Sequence, residues 1–215
     1  MKVICITGID GAGKSTVVNA LSDRLESEDK SVSRIYGRYV DTLLRPPMYF
    51  ARKLYFGENV GDDSDDSTRM ERKKNVLSSG TSRSLYEALL LFDYTLYIWS
   101  KYLLNLDADY VIFDRYVFDT VLKHLSRHMA YSTAELSRKY ESYVRFFPEP
   151  DHVFFLTISI ETALQRKDDI PSREYIEEQK DLYDTFFDRL DGATYLDGEE
   201  PVDDIIDTIM GEIDD

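Results

Sequence analysis

The chain has a single cysteine, Cys5, which excludes a disulfide framework and a cysteine zinc site. Set within the apolar run Val3-Ile4-Cys5-Ile6, its thiol reads as a small buried hydrophobe. Long hydrophobic runs are also missing. Hydrophobic residues make up 43% of the 215, yet nothing approaches the roughly 18 uninterrupted apolar residues of a membrane span. The stretch Met1 to Thr7 lacks a charged leader region with a cleavage site, so a cytoplasmic protein that makes no membrane contact is expected. Basic residues are scarce: 26 Lys and Arg against 41 Asp and Glu give a formal net charge of -15. A field of that sign repels polyanions, which disfavours nucleic acid as a partner. Any anionic ligand has to be gripped locally, by backbone dipoles and a few cations. The acidic excess suits a salt-rich cytoplasm, where charge is screened over a few ångströms, and suits an ordinary acidic soluble protein equally well. His124, His128 and His152 show no metal-ligand spacing with other residues, and no role is assigned to them.

The length fits one compact domain, 1–215, with at most a small lid. Apolar runs within Lys2 to Thr7, at Tyr110 to Phe113 and at Val153 to Ile158, with the mixed stretches Ser31 to Tyr36 and Ala193 to Leu196 as further candidates, predict about five short strands. Helices are expected between them. One follows Ser15 with Val17, Val18, Leu21 and Leu25 inward. A long one carries Leu85, Leu89, Phe92, Leu96, Trp99 and Leu103, read as its core stripe, with Ser84 and Glu87 spaced as a capping box. Further helical stretches are expected around Val117 to Leu125, from Glu161, from Glu174 towards Leu190, and over Val202 to Ile213. No internal repeat is found. Alternation of this kind predicts an α/β fold, a parallel sheet between two helical layers with right-handed crossovers. The segment 41–80, with the Pro46-Pro47 pair and the acidic stretch Gly57 to Ser67, is the irregular part.

The chemistry begins at Gly8-Ile9-Asp10-Gly11-Ala12-Gly13-Lys14-Ser15, which satisfies G-x-x-x-x-G-K-[ST] and is followed by Thr16. It lies directly after an apolar strand and opens an amphipathic helix, the setting of a phosphate-binding P-loop. Glycines let successive backbone N–H groups turn toward one anion, and the helix N-terminus adds partial positive charge. Lys14 is placed to reach the β and γ phosphates, and Ser15 to offer its hydroxyl to Mg²⁺. Residues Gly8 to Thr16 are therefore the expected ATP site.

A P-loop identifies a nucleotide site rather than a reaction. Asp114 closes the strand YVIF, and at the carboxyl end of a strand beside the first one its carboxylate is within reach of the metal. Arg115 follows, with a planar fork suited to holding a second phosphate beside the first. The guanine motif N-K-x-D of GTPases is missing, and no Glu follows Asp114 to support a transporter ATPase around Leu77-Ser78-Ser79-Gly80. Arg166, Lys167 and Arg173 lie in a polar stretch, 161–176, that suits a short helical lid bearing cations, although solvated surface pairs with the neighbouring Asp and Glu explain them too. After the second strand comes Arg38, with Arg34 in reserve and no Glu before Asp41. That favours a phosphorylated acceptor over a free hydroxyl, which needs a carboxylate base; Asp41 or Asp10 could fill that role.

GIDGAGKST followed by VIFDRY resembles the thymidylate kinase family of P-loop nucleoside monophosphate kinases. The specific similarity covers the P-loop, Asp114-Arg115-Tyr116 and Ala163 to Tyr183. The resemblance implies transfer of a phosphoryl group from ATP with Mg²⁺, most directly from ATP to dTMP. It places Asp10 near the acceptor sugar and Arg115 on the acceptor phosphate. Because Gly11 follows Asp10, it also implies catalytic cations from the lid, Arg166 and Arg173. Lys14, Asp114, Arg115, Arg166 and Arg173 are thus the expected catalytic residues; Asp10, Arg38, Phe92 and Arg115 the acceptor site; Ser15 and Asp114 the metal site.

Two departures qualify the resemblance. Gly37-Arg38-Tyr39-Val40-Asp41 stands where the family has an Arg-Glu-Pro-Gly-Gly-Thr type motif, and Leu96 stands four residues after the stacking candidate Phe92 where the family has Arg. The base-edge contact falls instead to Tyr97, Arg83 or the Arg45 to Arg52 region, or the acceptor is another one. A kinase of a nucleoside or other small hydroxyl compound, and a nucleotide-binding regulatory protein without turnover that uses the Val40 to Gly80 region on a partner, are the alternatives. Tyr94, Tyr97 and Trp99 on the long helix offer a homodimer face, and core packing explains them as well.

Overall fold

The structure is a computed structural model and describes residues 1–38, 80–125, 131–167 and 170–214. Most of the expected acceptor-side segment 41–80, including Asp41 and Arg45 to Arg52, lies outside the described residues.

Strand β1 (Lys2–Gly8) leads through the P-loop to helix α1 (Lys14–Ser27) and strand β2 (Val32–Tyr36). Helix α2 (Gly80–Leu103) precedes β3 (Tyr110–Asp114). A single turn, α3 (Val117–Asp119), continues as a π-helix over Thr120–Leu125, and α4 (Thr133–Val144) follows. Then come β4 (His152–Thr157), α5 (Ile160–Arg166), α6 (Arg173–Phe187), β5 (Ala193–Asp197) and α7 (Val202–Asp214). The five strands form one wholly parallel sheet in the order β2-β3-β1-β4-β5. This is the fold of the P-loop NTPases, a parallel sheet with helices on both faces.

Why the apolar runs became strands is visible in their burial. Ile4, Cys5 and Ile6 of β1, and Val111, Ile112 and Phe113 of β3, are completely enclosed, because a parallel sheet covered on both faces has no solvent side. Register then fixes the working end. Tyr36 and Ile6 both align with Asp114, so β2 and β3 end level while β1 runs two residues further to Gly8, and the P-loop springs from this middle strand. Asp114 indeed stands beside β1, as its position in the sequence implied.

Helix α2 corrects the sequence reading. Its buried line is Glu87, Leu90, Tyr94 and Ile98, whereas Leu89, Phe92, Leu96, Trp99 and Leu103 are 39%, 61%, 38%, 36% and 55% exposed. The helix carries two adjacent apolar stripes, and periodicity alone does not say which one turns inward. Tyr94 thus belongs to the core rather than to a surface face. The capping box is also misplaced. The helix starts at Gly80, and Glu87 lies inside it, accepting from Lys139 Nζ at 2.7 Å and from the Tyr131 hydroxyl. The working capping box is Ser132 with Glu135 at the start of α4, a helix the sequence reading passed over although Ser-x-x-Glu was there to be seen.

The core contains an aromatic slab in which Phe155 of β4 stacks on Phe187 of α6 with centroids 4.2 Å apart and 9° between planes. Phe155 is 1% exposed. Phe155→Ala is expected to lower the unfolding free energy by about 3–5 kcal/mol, through lost burial plus an unfilled cavity, as read by urea denaturation.

Candidate functional site

The P-loop geometry follows from its glycines. Gly11 and Gly13 adopt φ of 87° and 83°, the left-handed region. A Cβ on Gly11 would lie 2.9 Å from the Ala163 backbone, so the loop also rests tightly on α5. Helix α1 starts at Lys14 with no side-chain cap and no acidic residue in its first turn. A helix start of this kind favours an anion through its dipole. Ile9 and Ala12 are buried beneath the loop, while Ser15 and Thr16 are exposed on that first turn. Lys14 is only 4% exposed and donates to the Ile9 carbonyl at 2.6 Å, which holds its ammonium inside the loop.

Ser15 Oγ donates to Asp114 Oδ2 at 2.9 Å. The other carboxylate oxygen, Asp114 Oδ1, is buried with no hydrogen-bond partner. A buried carboxylate oxygen left unpaired is costly unless a cation or donor comes to it. A hydroxyl and a carboxylate beside a phosphate cradle are the hard oxygen donors that Mg²⁺ takes, few in number because it keeps waters and phosphate oxygens as well. The residues present therefore fit this ion. Among the described residues no cluster of three or more His, Cys, Asp or Glu forms a protein-only metal cage, in keeping with that mode of binding.

Arg115 is the centre of the second half. Its Nη2 donates to Asp10 Oδ1 at 3.0 Å and its Nη1 lies 3.5 Å from Asp119 Oδ1, which leaves the guanidinium side chain 11% exposed. Burial works against its charge, but Asp119, then Tyr183 and Asp10, outweigh that and hold its proton more firmly than usual. Asp119 is completely buried and accepts from Thr7 Oγ1 at 2.8 Å, the Tyr116 backbone N–H at 3.0 Å and the Tyr183 hydroxyl at 2.7 Å. Asp10 is held too: its backbone N–H donates to Gln179 Oε1 at 3.0 Å, and the Tyr175 hydroxyl donates to Oδ2 at 3.3 Å. Asp119, Gln179 and Tyr175 were missed in the sequence. Asp119 follows the Asp-Arg-Tyr triplet by only three residues, and Tyr175, Gln179 and Tyr183 recur at steps of four along α6. That spacing was the available signal.

The other expected residues divide. Arg166 Nη1 donates to the Gly198 carbonyl at 2.7 Å, and the same nitrogen would be 3.8 Å from a Cβ on Gly13, so this cation does stand beside the P-loop. Arg173 does not. It is half exposed and paired with Glu161 at 2.6 Å and Glu177 at 2.9 Å, the surface arrangement weighed against a catalytic role. Arg38 is exposed just beyond β2, and no hydrogen bond among the described residues joins it to Arg115 or the P-loop. Arg34 is engaged with Asn19 at 2.8 Å. Phe92, 61% exposed, lines a cavity of about 400 Å³ with Glu87, Leu91, Tyr143, Phe146 and Phe147, so plain core packing is excluded for it. Tyr97 donates to the Tyr36 carbonyl at 3.1 Å, and the Arg83 side chain lies outside the described residues.

Two stability measurements test this construction. Removing Asp119 leaves Arg115 and three donors without their acceptor, so Asp119→Ala is expected to destabilise by about 3–5 kcal/mol in chemical denaturation. Helix α5, which carries Arg166, is held at its start by the Ser159 N–H donating to Glu199 Oε1 at 2.9 Å. Hydrogen bonds from the Ser159 side chain, then its backbone, then Thr162 pull the Glu199 carboxyl from 4.5 down to about 2. A carboxyl whose folded value is depressed contributes stability above its unfolded value and loses it as pH falls towards the folded one. The stability difference between the native chain and Glu199→Gln is expected to be constant above pH 4.5 and to shrink between pH 4.5 and about 2.

Comparison with known proteins bears on the fold. The adenylylsulphate kinase family model matches residues 1–55, which take in β1, the P-loop, α1 and β2. No curated protein matches the chain. A solved structure of deoxyadenosine kinase from M. mycoides with bound dATP is 18% identical, covers 99% of this chain and 100% of its own, and superposes with a TM-score of 0.55. A second structure of that enzyme, with products dCMP and a flexible dCDP bound, gives 20% identity, 99% and 98% coverage and a TM-score of 0.48. The likeness to the solved structures is one of architecture, and it does not single out the thymidylate kinases.

Proposed function

We propose that this chain is an ATP-dependent kinase that passes the γ-phosphoryl group to a nucleoside monophosphate, with dTMP first among the acceptors. The observation that carries the reading is the Arg115 guanidinium standing 3.0 Å from Asp10 of the P-loop itself. A donor cradle and a braced guanidinium side by side suit two phosphates brought together, since phosphoryl transfer is chiefly positioning and stabilisation of charge.

In this reading the P-loop amides and Lys14 hold the β and γ phosphates of ATP, and Lys14 exchanges the Ile9 carbonyl for phosphate oxygens. Ser15 and Asp114 would hold Mg²⁺, which would supply charge neutralisation to the donor phosphates. Arg115 orients the acceptor phosphate, already an anionic nucleophile that needs no base. Asp10 and Asp119 keep the guanidinium from swinging. Arg166, beside Gly13, is the lid cation nearest the migrating group. Arg38, exposed at the rim, meets the acceptor from the β2 side, and Phe92 offers its ring to a base. A second copy of the chain would cover the exposed stripe of α2, and light scattering reads that directly.

A hydroxyl acceptor is the second reading. It is favoured by the presence of the Asp10 carboxylate inside the site and by the deoxyadenosine kinase among the structural neighbours. A carboxylate already committed to a guanidinium is a poor proton acceptor, which ranks this reading lower.

Coupled ADP release over a panel of nucleosides and nucleoside monophosphates tests both. Turnover is expected with a monophosphate and not with the matching nucleoside; the reverse pattern would establish the second reading, and ATP binding with no transfer to either would establish a nucleotide-binding protein without turnover. Lys14→Met is expected to lower kcat by more than about 100-fold with unchanged far-ultraviolet circular dichroism. Arg115→Ala is expected to raise the KM for the acceptor well beyond that for ATP.

A further inference from the structure

Arg115 has a φ of 74°, a left-handed conformation in which a residue with a side chain is strained. The surrounding structure must hold it there, through backbone contacts as well as the ion pairs of its side chain. The Arg115 N–H donates to the Ile6 carbonyl at 2.9 Å, and the next N–H, of Tyr116, donates to Asp119. Those bonds fix the nitrogens. The remaining side of the turn, the Arg115 carbonyl, is faced by Gly37.

Gly37 lies just past β2, and its N–H donates to the Asp114 carbonyl at 2.9 Å. A Cβ at this position would fall inside the van der Waals surface of the Arg115 carbonyl oxygen, 2.8 Å from the carbonyl carbon and 3.3 Å from Tyr116 Cα. All three are backbone atoms, so no flexible side chain can give way. Gly37 itself is outside the left-handed region, which makes the demand for glycine purely one of space. Its carbonyl accepts a hydrogen bond from the hydroxyl of buried Tyr94.

We infer that Gly37 is a positioning residue for Arg115: the bare backbone of Gly37, pinned by Tyr94, packs against the Arg115 carbonyl and keeps the left-handed turn that aims the guanidinium at Asp10. The inference rests on the acceptor role given to Arg115 only for its kinetic consequence. The sequence reading treated the Gly37 position as part of a departure from a family motif. The contact supplies a physical reason for glycine there.

Crystal structures of the native chain and of Gly37→Ala provide the first readout, independent of activity. The variant is expected to show the Arg115 carbonyl displaced by a distance on the order of 1 Å and the Arg115–Asp10 pair broken, with the P-loop unmoved. An Arg115 still near φ 74° with its Asp10 contact intact overturns the inference. The second readout is a split in kinetics: kcat/KM for the acceptor is expected to fall by roughly 10–100-fold while ATP affinity by calorimetry stays within about 3-fold. Equal losses for both substrates overturn it. Should Gly37→Ala not fold, Tyr94→Phe removes only the anchoring hydroxyl, and a loss of about 3–10-fold confined to the acceptor is expected, unchanged acceptor kinetics being the contrary result. If the native chain transfers phosphate to no acceptor, the proposed function fails, and the paired structures still decide the role of Gly37.

Discussion

The structure is organised around one buried guanidinium shared by two carboxylates. Arg115 sits between Asp10 and Asp119, and neither carboxylate is left to the guanidinium alone. Charges removed from water are tolerable only when their remaining lone pairs and protons are satisfied. Here hydroxyls from Thr7 and Tyr183 and the Tyr116 N–H complete Asp119, and the Tyr175 hydroxyl reaches Asp10, whose own N–H is held by Gln179. The same requirement brings β1, β3 and α6 to one point. Helix α6 meets it with residues at steps of four, so one face of one helix reaches both Asp10 of the P-loop and Asp119 beside Arg115.

Charge is distributed unevenly in this acidic chain. The formal charge of -15 is spread over the molecule, whereas Lys14, Arg115 and Arg166 are gathered at the open end of the central strand. Uncapped amides at the start of α1 add to them. Screening by salt weakens distant repulsion far more than short, partly buried contacts, so the local field at this end of the sheet is set by these groups and not by the net charge.

Much of this was legible in the sequence because it follows from continuous patterns. The P-loop announces itself by spacing, the buried strands by unbroken apolar runs, and Asp114 by its place at the end of one such run. What escaped depended on partners distant in the chain. Nothing in the stretch Leu89 to Leu103 says that Tyr94 and not Phe92 faces the sheet, because both lie on apolar stripes and the choice is made by Phe147 and Gly37. Asp119 looked like one acid among 41 Asp and Glu until Thr7 and Tyr183 closed around it. Arg173 had the right residue type in the right segment, and local helical pairing with Glu177 claimed it.

The lone tryptophan has an unusual address. Trp99 donates its indole N–H to the Phe146 carbonyl at 2.7 Å, bridging α2 to the end of α4 on the outer side of the molecule. Its ring meets Tyr102 edge-on at 5.6 Å and is about one-third open to water. The intrinsic emission of this chain is therefore a gauge of the seam between those two helices. Quenching or a red shift on adding a compound will register a parting of that seam, while events confined to the cradle leave the lamp untouched.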